Sequence, residues 1–128
     1  MADEMICIDT SVLIDYYRKQ HKSKTLFHQL SLQHSNFAVS AITQYEILVG
    51  SNEQQNEFWQ LIFSQLTILN FDVVSTSKAV EIFQELKSKR KLIEMPDILI
   101  AATAIANDCT LVTLNKKHFA RINALKLL

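Results

Sequence analysis

The stretch MICIDTSVLIDYY, residues 5–17, decides the fold class of this chain. Its first four residues are all apolar, without alternation of polar and apolar side chains, which is typical of a strand buried on both faces of a parallel sheet. The segment Asp9-Thr10-Ser11 follows at once and offers residues that cap helices, and residues 12–17 predict the helix itself. A buried strand that leads directly into a helix favours an α/β fold.

The same alternation of strand and helix continues along the chain. The predicted strands are 5–8, 37–39, 67–74 with a turn near 70–72, 111–114 and an edge strand at 124–128. The predicted helices are 12–17, 24–34, 41–50, 53–65, one from Ser75 or Thr76 to about residue 86, 96–106 and 116–121. Apolar residues at helical spacing are expected to face the core: Leu26, Phe27 and Leu30 with Leu32 as a further candidate, and Ala79, Val80, Ile82, Phe83 and Leu86. Strands alternating with helices predict a three-layer α/β/α fold with a central parallel sheet of four or five strands, formed by residues 1–128 as a single domain.

Composition supports this class and limits the possible partners. The chain has 128 residues, 48% hydrophobic, with one Gly and one Pro, which argues against disorder and against an all-β fold rich in turns. The formal charges cancel, with 13 Lys and Arg against 13 Asp and Glu. Residues 1–86 hold 5 basic and 10 acidic residues, however, whereas residues 87–128 hold 8 basic and 3 acidic residues. This asymmetry fits a protein that handles both cations and polyanions, or simply two solvated faces that differ.

The segments that direct proteins to membranes or to export are not recognisable in this sequence. The acidic start, residues 1–4, is unlike a secretory signal, and no window approaches the ~18 apolar residues of a membrane span. Cys7 and Cys109 lie in apolar segments and are expected to be free, buried thiols. We therefore expect a cytoplasmic protein that does not contact a membrane.

Three carboxylates far apart in the sequence are expected to meet at one edge of the sheet. Asp9 directly follows the first strand, Glu46 lies on the helix after the second strand, and Asp97 lies in the first turn of a later helix. Ligands of open α/β sheets bind beyond the carboxyl ends of the strands, and clusters of carboxylates suit Mg²⁺ or Mn²⁺. The helix dipole is expected to favour the ionised form of Asp97. Helix capping by Asp9 and Asp97, and a solvated face for Glu46, are the alternatives.

Four segments in this order resemble the signature blocks of PIN-domain ribonucleases, and in particular of VapC-type toxins from bacterial toxin–antitoxin pairs. They are IDTSVLID at 8–15, SAITQYEILVG at 40–50, PDILIAATA at 96–104 and LVTLNKKHF at 111–119. The resemblance extends from Met5 to about Ile122.

The resemblance implies an endoribonuclease that depends on Mg²⁺ or Mn²⁺. By the pattern of the family, Asp9, Glu46 and Asp97 bind the metal and activate the attacking water. In-line hydrolysis would leave 5′-phosphate and 3′-hydroxyl ends. The family also implies a small antitoxin partner that crosses the acidic crevice, and a homodimer.

The fourth block departs from the family pattern. Where relatives often have an acid before the Phe, this chain has His118, and Asn115 occupies a position that is Asp in some relatives. We count Asn115 among the candidate catalytic residues, because its side chain offers a neutral oxygen. Ser11, Thr113 and His118 are expected to support the site. With three core acids instead of four, the number of metal ions stays open.

A basic segment beside the fourth block is the candidate RNA-binding surface. It contains Lys116, Lys117 and Arg121, which could contact the phosphate backbone. Because of the altered block, a second hypothesis is a catalytically degenerate PIN-fold protein that binds RNA or a protein partner. A third is an aspartyl-phosphate receiver domain. It fits less well, because Asp3 and Glu4 lie before the first strand instead of after it.

Overall fold

The computed structural model describes residues 4–128, in which five strands alternate with seven α helices. The strands are β1 (Ile6–Ile8), β2 (Phe37–Ser40), β3 (Thr67–Leu69), β4 (Thr110–Val112) and β5 (Lys126–Leu127). The helices are α1 (Thr10–Arg18), α2 (Leu26–Ser31), α3 (Ala41–Val49), α4 (Glu53–Ser64), α5 (Val73–Ser88), α6 (Met95–Ala106) and α7 (Lys116–Phe119), with a 3-10 turn at Lys22–Lys24. This arrangement confirms the predicted three-layer α/β/α fold.

The strands form one parallel sheet in the order β3-β2-β1-β4-β5. In the central strand, Cys7 is paired with Ala38 of β2 on one side and with Leu111 of β4 on the other. The chain therefore adds strands in one direction from β1 to β3 and then resumes on the opposite side with β4. The point at which the strand order reverses, between β1 and β4, is where α/β sheets form ligand crevices.

The all-apolar sequence of β1 follows from burial on both of its faces. Successive side chains of a strand point to opposite faces. Ile6 and Ile8 pack in the core beneath α1, α2 and α4, whereas Cys7 packs in the core beneath α5 and α6. All three residues are fully buried.

The predicted boundary between β3 and α5 was wrong. Val73 and Val74 are not the end of a strand, because β3 ends at Leu69 and α5 begins at Val73. The cap is Asp72, whose side chain accepts a hydrogen bond from the Ser75 N–H at 2.9 Å, and not Ser75 or Thr76. Two β-branched valines resembled a strand, but the capping carboxylate determines where the helix starts.

Several residues predicted to face the core lie at the surface. The predicted helix 24–34 is interrupted, so that α2 ends at Ser31, and Leu32 beyond it is 74% exposed. Val80 and Phe83 are 50% and 43% exposed. They line an open apolar groove between α5 and α6, so the apolar stripe of α5 is wider than the face that the core covers.

Two helix ends adopt the left-handed backbone conformation. Asp108 has φ 53° in the turn after α6, and Arg90 has φ 57° at the end of α5. The Arg90 N–H donates to the Lys87 carbonyl and the Lys91 N–H donates to the Leu86 carbonyl. This is the Schellman pattern, a position where glycine is favoured, and the sequence around Arg90 carries no signal for it.

The expectations about cysteines and membrane segments can be compared directly with the structure. Cys7 and Cys109 are buried and free, as expected, and burial raises the pKa of the Cys7 thiol to about 12. Across residues 4–128, no helix has the length and apolar character needed to span a bilayer. Asp3 lies outside the described residues. Glu4 precedes β1 and accepts a hydrogen bond from Thr110, which places it at the opposite end of the strand from the crevice.

Candidate metal and catalytic site

A cavity of about 590 Å³ opens at the carboxyl edge of the sheet, beside the reversal of strand order. Its walls include the four carboxylates of Asp9, Glu46, Glu94 and Asp97. Asp9 follows β1, Glu46 comes from α3, and Asp97 comes from the first turn of α6. The three acids singled out in the sequence therefore line one cavity. Glu94, the N-cap residue of α6, adds a fourth acid from outside the four sequence blocks.

Asp9 is held by a chain of hydrogen bonds that links β1 to the segment after β4. The residue is 2% exposed. Its Oδ2 accepts hydrogen bonds from Ser11 Oγ at 2.6 Å and from Thr113 Oγ1 at 2.7 Å. These hydroxyls in turn accept from the backbone N–H groups of Leu114 and Asn115. Although Asp9 stands at the N-cap position of α1, its side chain makes no capping hydrogen bond, so the capping alternative fails for this residue.

Glu46 is held from the other side, by the first residue of α1. Its Oε1 accepts a hydrogen bond from Thr10 Oγ1 at 2.8 Å. Thr10 also lines the cavity, and sequence reasoning gave it no role beyond a possible cap. Its position in the sequence could have indicated this role. A hydroxyl residue directly after Asp9 lies at the start of the helix that follows the strand, and that helix start faces the crevice.

Asp97 is the carboxyl whose protonation the site perturbs most clearly. Burial, followed by the charges of Asp9, Glu46 and Glu94, raises the pKa of Asp97 to about 6. The expectation that the helix dipole would favour its ionised form was therefore wrong. Removal from water and repulsion from neighbouring carboxylates outweigh the dipole at this position.

Of the residues after β4, those that line the cavity include Asn115 and His118, whereas the lysines of the fourth block do not line it. Asn115 and His118 line the cavity, and both side chains are exposed. Lys116 and Lys117 lie on the solvent-exposed surface of α7, outside the cavity wall. Arg121 lines the cavity, where its guanidinium donates to the backbone carbonyls of Lys91 and Leu92 at 3.4 and 3.2 Å. That contact ties the segment after α7 to the α5–α6 connection.

The donor set of the cavity suits a hard divalent cation that keeps part of its water shell. Carboxylate, hydroxyl and amide oxygens are the ligands that Mg²⁺ and Mn²⁺ prefer, and the raised pKa of Asp97 indicates repulsion that a cation would relieve. Within residues 4–128, no three His, Cys, Asp or Glu side chains are grouped closely enough to enclose an ion by themselves. One or two carboxylates with several waters is the usual arrangement for Mg²⁺.

The family model that describes the PIN domain matches residues 6–125. The chain belongs to the PIN domain family. Among curated relatives of this PIN domain, Ribonuclease VapC1 of Methanocaldococcus jannaschii is 34% identical, over 94% of this chain and 82% of the relative. Ribonuclease VapC1 of Rickettsia felis is 33% identical, over 96% of this chain and 94% of the relative.

A solved structure of comparable size has the same fold. It is VapBC2 from Rickettsia felis bound to a DNA fragment from its promoter. The similar chain in that structure superposes on this PIN domain with a TM-score of 0.82 at 30% identity, and 97% of each chain is covered. The architecture is therefore shared over nearly the whole length of both chains.

Proposed function

We propose that this PIN domain is a metal-dependent endoribonuclease and the toxin of a toxin–antitoxin pair. The observation that carries the proposal is the meeting of Asp9, Glu46 and Asp97, from three separate elements, in one cavity at the crevice of the sheet. The 34% identity to a ribonuclease of the same fold supports the reaction type. Asn115 and His118, which line the same cavity, are proposed to contact the substrate or its waters.

One or two of the carboxylates of Asp9, Glu46 and Asp97 would hold Mg²⁺ or Mn²⁺ directly, and the others would hold it through waters. When bound, the ion supplies a nucleophilic water near neutral pH and stabilises negative charge on the phosphoryl oxygens. Asp9 lines the cavity, and its Oδ2 accepts hydrogen bonds from Ser11 and Thr113. Because two hydroxyls fix the orientation of this carboxylate, it is already in place before the ligand arrives.

The basic residues near the cavity are proposed to contact the RNA backbone. Lys116 and Lys117 lie exposed on α7 beside the cavity, and Arg121 lines its wall. Phosphate contacts of this kind strengthen binding without reading sequence. They would bring the scissile phosphate toward the carboxylates.

The acidic cavity is also suited to a basic side chain from an antitoxin. Four carboxylates line its wall, and an inserted arginine would neutralise their mutual repulsion while it excludes the substrate. The similar Rickettsia structure contains a VapBC assembly. We further propose a homodimer in the cytoplasm, where the two buried thiols stay reduced. Co-purification with the product of the neighbouring reading frame, and sedimentation velocity, test these two associations.

Cleavage of structured RNA by the purified chain tests the nuclease assignment. With Mg²⁺ or Mn²⁺ the wild type is expected to give products with 5′-phosphate and 3′-hydroxyl ends, and EDTA is expected to stop the reaction. Asp9→Asn should lower the rate by at least about 100-fold, since it removes a charged metal ligand. Asp15→Asn is the matched control, because Asp15 lies on the helix that follows Asp9, outside the cavity wall, and forms an ion pair with Lys19 at 3.6 Å.

Two results would contradict this assignment. A wild type that cuts no RNA with either metal would favour the degenerate, RNA- or partner-binding hypothesis, which the altered fourth block motivates. Equal cleavage by Asp9→Asn and the wild type would remove Asp9 from the reaction.

A further inference from the structure

A threonine hydroxyl links the two helices that lead away from the central strands β1 and β2. Thr10 is the first residue of α1, and Glu46 lies on α3. Thr10 Oγ1 donates to Glu46 Oε1 at 2.8 Å and lies within hydrogen-bond distance of Thr43 Oγ1, at 3.0 Å. The two contacts span 36 and 33 residues of sequence, so only the tertiary fold creates them.

The inner side of this hydroxyl network is completely buried. Thr43 and Ser40 are both 0% exposed. Ser40 Oγ lies 3.3 Å from Thr43 Oγ1, to which it donates, and accepts the Thr43 N–H at 3.0 Å as the N-cap of α3. Thr43 is therefore held by the start of its own helix, and its hydroxyl gives Thr10 Oγ1 a second hydrogen-bonding neighbour.

The consequence concerns the orientation of the Glu46 carboxylate. A glutamate has three rotatable side-chain bonds, and Glu46 is only partly buried, so packing alone leaves it several rotamers. The Thr10 hydroxyl occupies Oε1 of the carboxylate, and Glu46 lines the cavity. A hydrogen bond to a charged acceptor is stronger than one between neutral groups.

We propose that Thr10 is a positioning residue for Glu46, and that Thr43 holds the Thr10 hydroxyl in the required direction. The inference rests on the proposed function, because it assigns Thr10 to the support of a metal-binding carboxylate. Partners that orient metal ligands commonly contribute 10- to 100-fold to metal affinity or activity. The two acids then have parallel supports: Ser11 and Thr113 hold Asp9, and Thr10 holds Glu46.

Two variants of Thr10 distinguish the effect of its hydroxyl group from the effect of its side-chain shape. Thr10→Val keeps the branched shape without the hydroxyl, and Thr10→Ser restores the hydroxyl. We expect Thr10→Val to weaken Mn²⁺ binding, measured by calorimetry on the RNA-free protein, by about tenfold, and Thr10→Ser to remain within about twofold of the wild type. Thr43→Val should cause a smaller loss of the same kind.

The control for loss of a buried threonine hydroxyl is Thr103→Val. Thr103 is 0% exposed and donates to the Leu99 carbonyl at 2.8 Å, outside the cavity wall. The Thr103→Val substitution should lower the thermal stability of the protein without changing its affinity for Mn²⁺. Equal losses of affinity in Thr103→Val and Thr10→Val would mean that stability alone controls binding, and would overturn the proposal.

A double-mutant cycle tests whether Thr10 acts through Glu46. In a Glu46→Ala background, Thr10→Val should cause no further loss of Mn²⁺ affinity. A full additional tenfold loss, or normal affinity in the single Thr10→Val variant, would overturn the role of Thr10 while the proposed function stands. Failure of the wild type to bind Mn²⁺ would overturn both, and failure to cleave RNA despite normal Mn²⁺ binding would overturn only the nuclease assignment.

Discussion

Single residues in this site are held in states that would be unfavourable elsewhere. Asp97 is half-buried in a wall shared with three other acids, and its pKa rises to about 6. Asp9 is almost completely buried and depends on two hydroxyls. The raised pKa of Asp97 means that its ionised form lowers the stability of the folded chain in the absence of a cation.

Replacement of Asp97 by Asn should stabilise the metal-free protein at alkaline pH. The folded-state pKa is raised above the ordinary aspartate value of 3.8, so the folded chain holds this proton more tightly than the unfolded chain does. The contribution of Asp97 to stability is therefore fully present below about pH 4 and is lost as the pH rises through about 6. Solvent screening at a half-exposed group reduces the expected gain in Asp97→Asn to roughly 1 kcal/mol at pH 8.

Thermal unfolding in EDTA at pH 4 and pH 8 measures this effect. Asp97→Asn and the wild type should unfold at similar temperatures at pH 4 and separate at pH 8. Asp108→Asn is a suitable control, because Lys126 lowers the pKa of this exposed carboxyl, and it should give no gain at pH 8. A separation at pH 4 as large as that at pH 8 would exclude titration of Asp97 as the cause.

At the scale of the elements, the site depends on where helices begin and end. Helix α5 ends in a Schellman turn at Arg90, and the chain then crosses to the N-terminus of α6 through Leu92 and Ile93, which line the cavity. The end of α5 therefore sets the path of one cavity wall. Arg90 adopts φ 57°, which is unfavourable for a residue with a Cβ atom.

We expect Arg90→Gly to raise the free energy of unfolding by about 1 kcal/mol, because glycine adopts this conformation without steric strain. Urea unfolding at pH 7 measures the change through the midpoint at constant slope. The control is Lys89→Gly, one residue earlier at φ −89°, in the right-handed region. There glycine should destabilise the protein by several tenths of a kcal/mol. A loss of stability in both variants would contradict the argument from strain at Arg90.

At the scale of the whole molecule, the fold places in one cavity acidic and basic residues that are far apart in the sequence. The acidic first part of the chain supplies Asp9 and Glu46, and the basic last part supplies Glu94, Asp97 and Arg121 to the same cavity. The net charge of the chain is zero, but the charges are unevenly distributed: four carboxylates line the cavity, and basic residues lie beside it. This distribution is compatible with a protein that holds a cation and approaches a polyanion.

Divalent cations should stabilise the whole fold, because a ligand that binds only the native state raises the free energy of unfolding by mass action. At pH 7.5, millimolar Mg²⁺ or Mn²⁺ should raise the Tm by several degrees relative to EDTA. The same concentration of K⁺, matched for ionic strength, should have a smaller effect. The shift should vanish in Asp9→Asn and persist in Asp15→Asn, and an equal shift in both variants would show that the ion acts by general screening.

Strands and helices with strong local patterns were predicted correctly from the sequence, whereas one helix boundary and the exposure of some side chains were not. The apolar run at β1 and the helix over α3 were recognised, because they are local patterns with a strong physical cause. The boundary at Val73 was missed, since β-branched residues occur in strands and helices and only the Asp72 cap distinguishes them here. The exposure of Phe83 was missed because periodicity shows which residues share a helix face but not how much of that face is covered.

The sequence by itself determined the order of strands and helices, the family, and the three acids placed at strand and helix ends. These depend on local composition and on spacing along the chain. Only the tertiary structure decided that Glu94 joins these acids, that Thr10 contacts Glu46, and that Asp97 has a raised pKa. The reason is that burial and the distances between charges arise from elements that are 30 or more residues apart in the chain, and an electrostatic energy depends on distance in space.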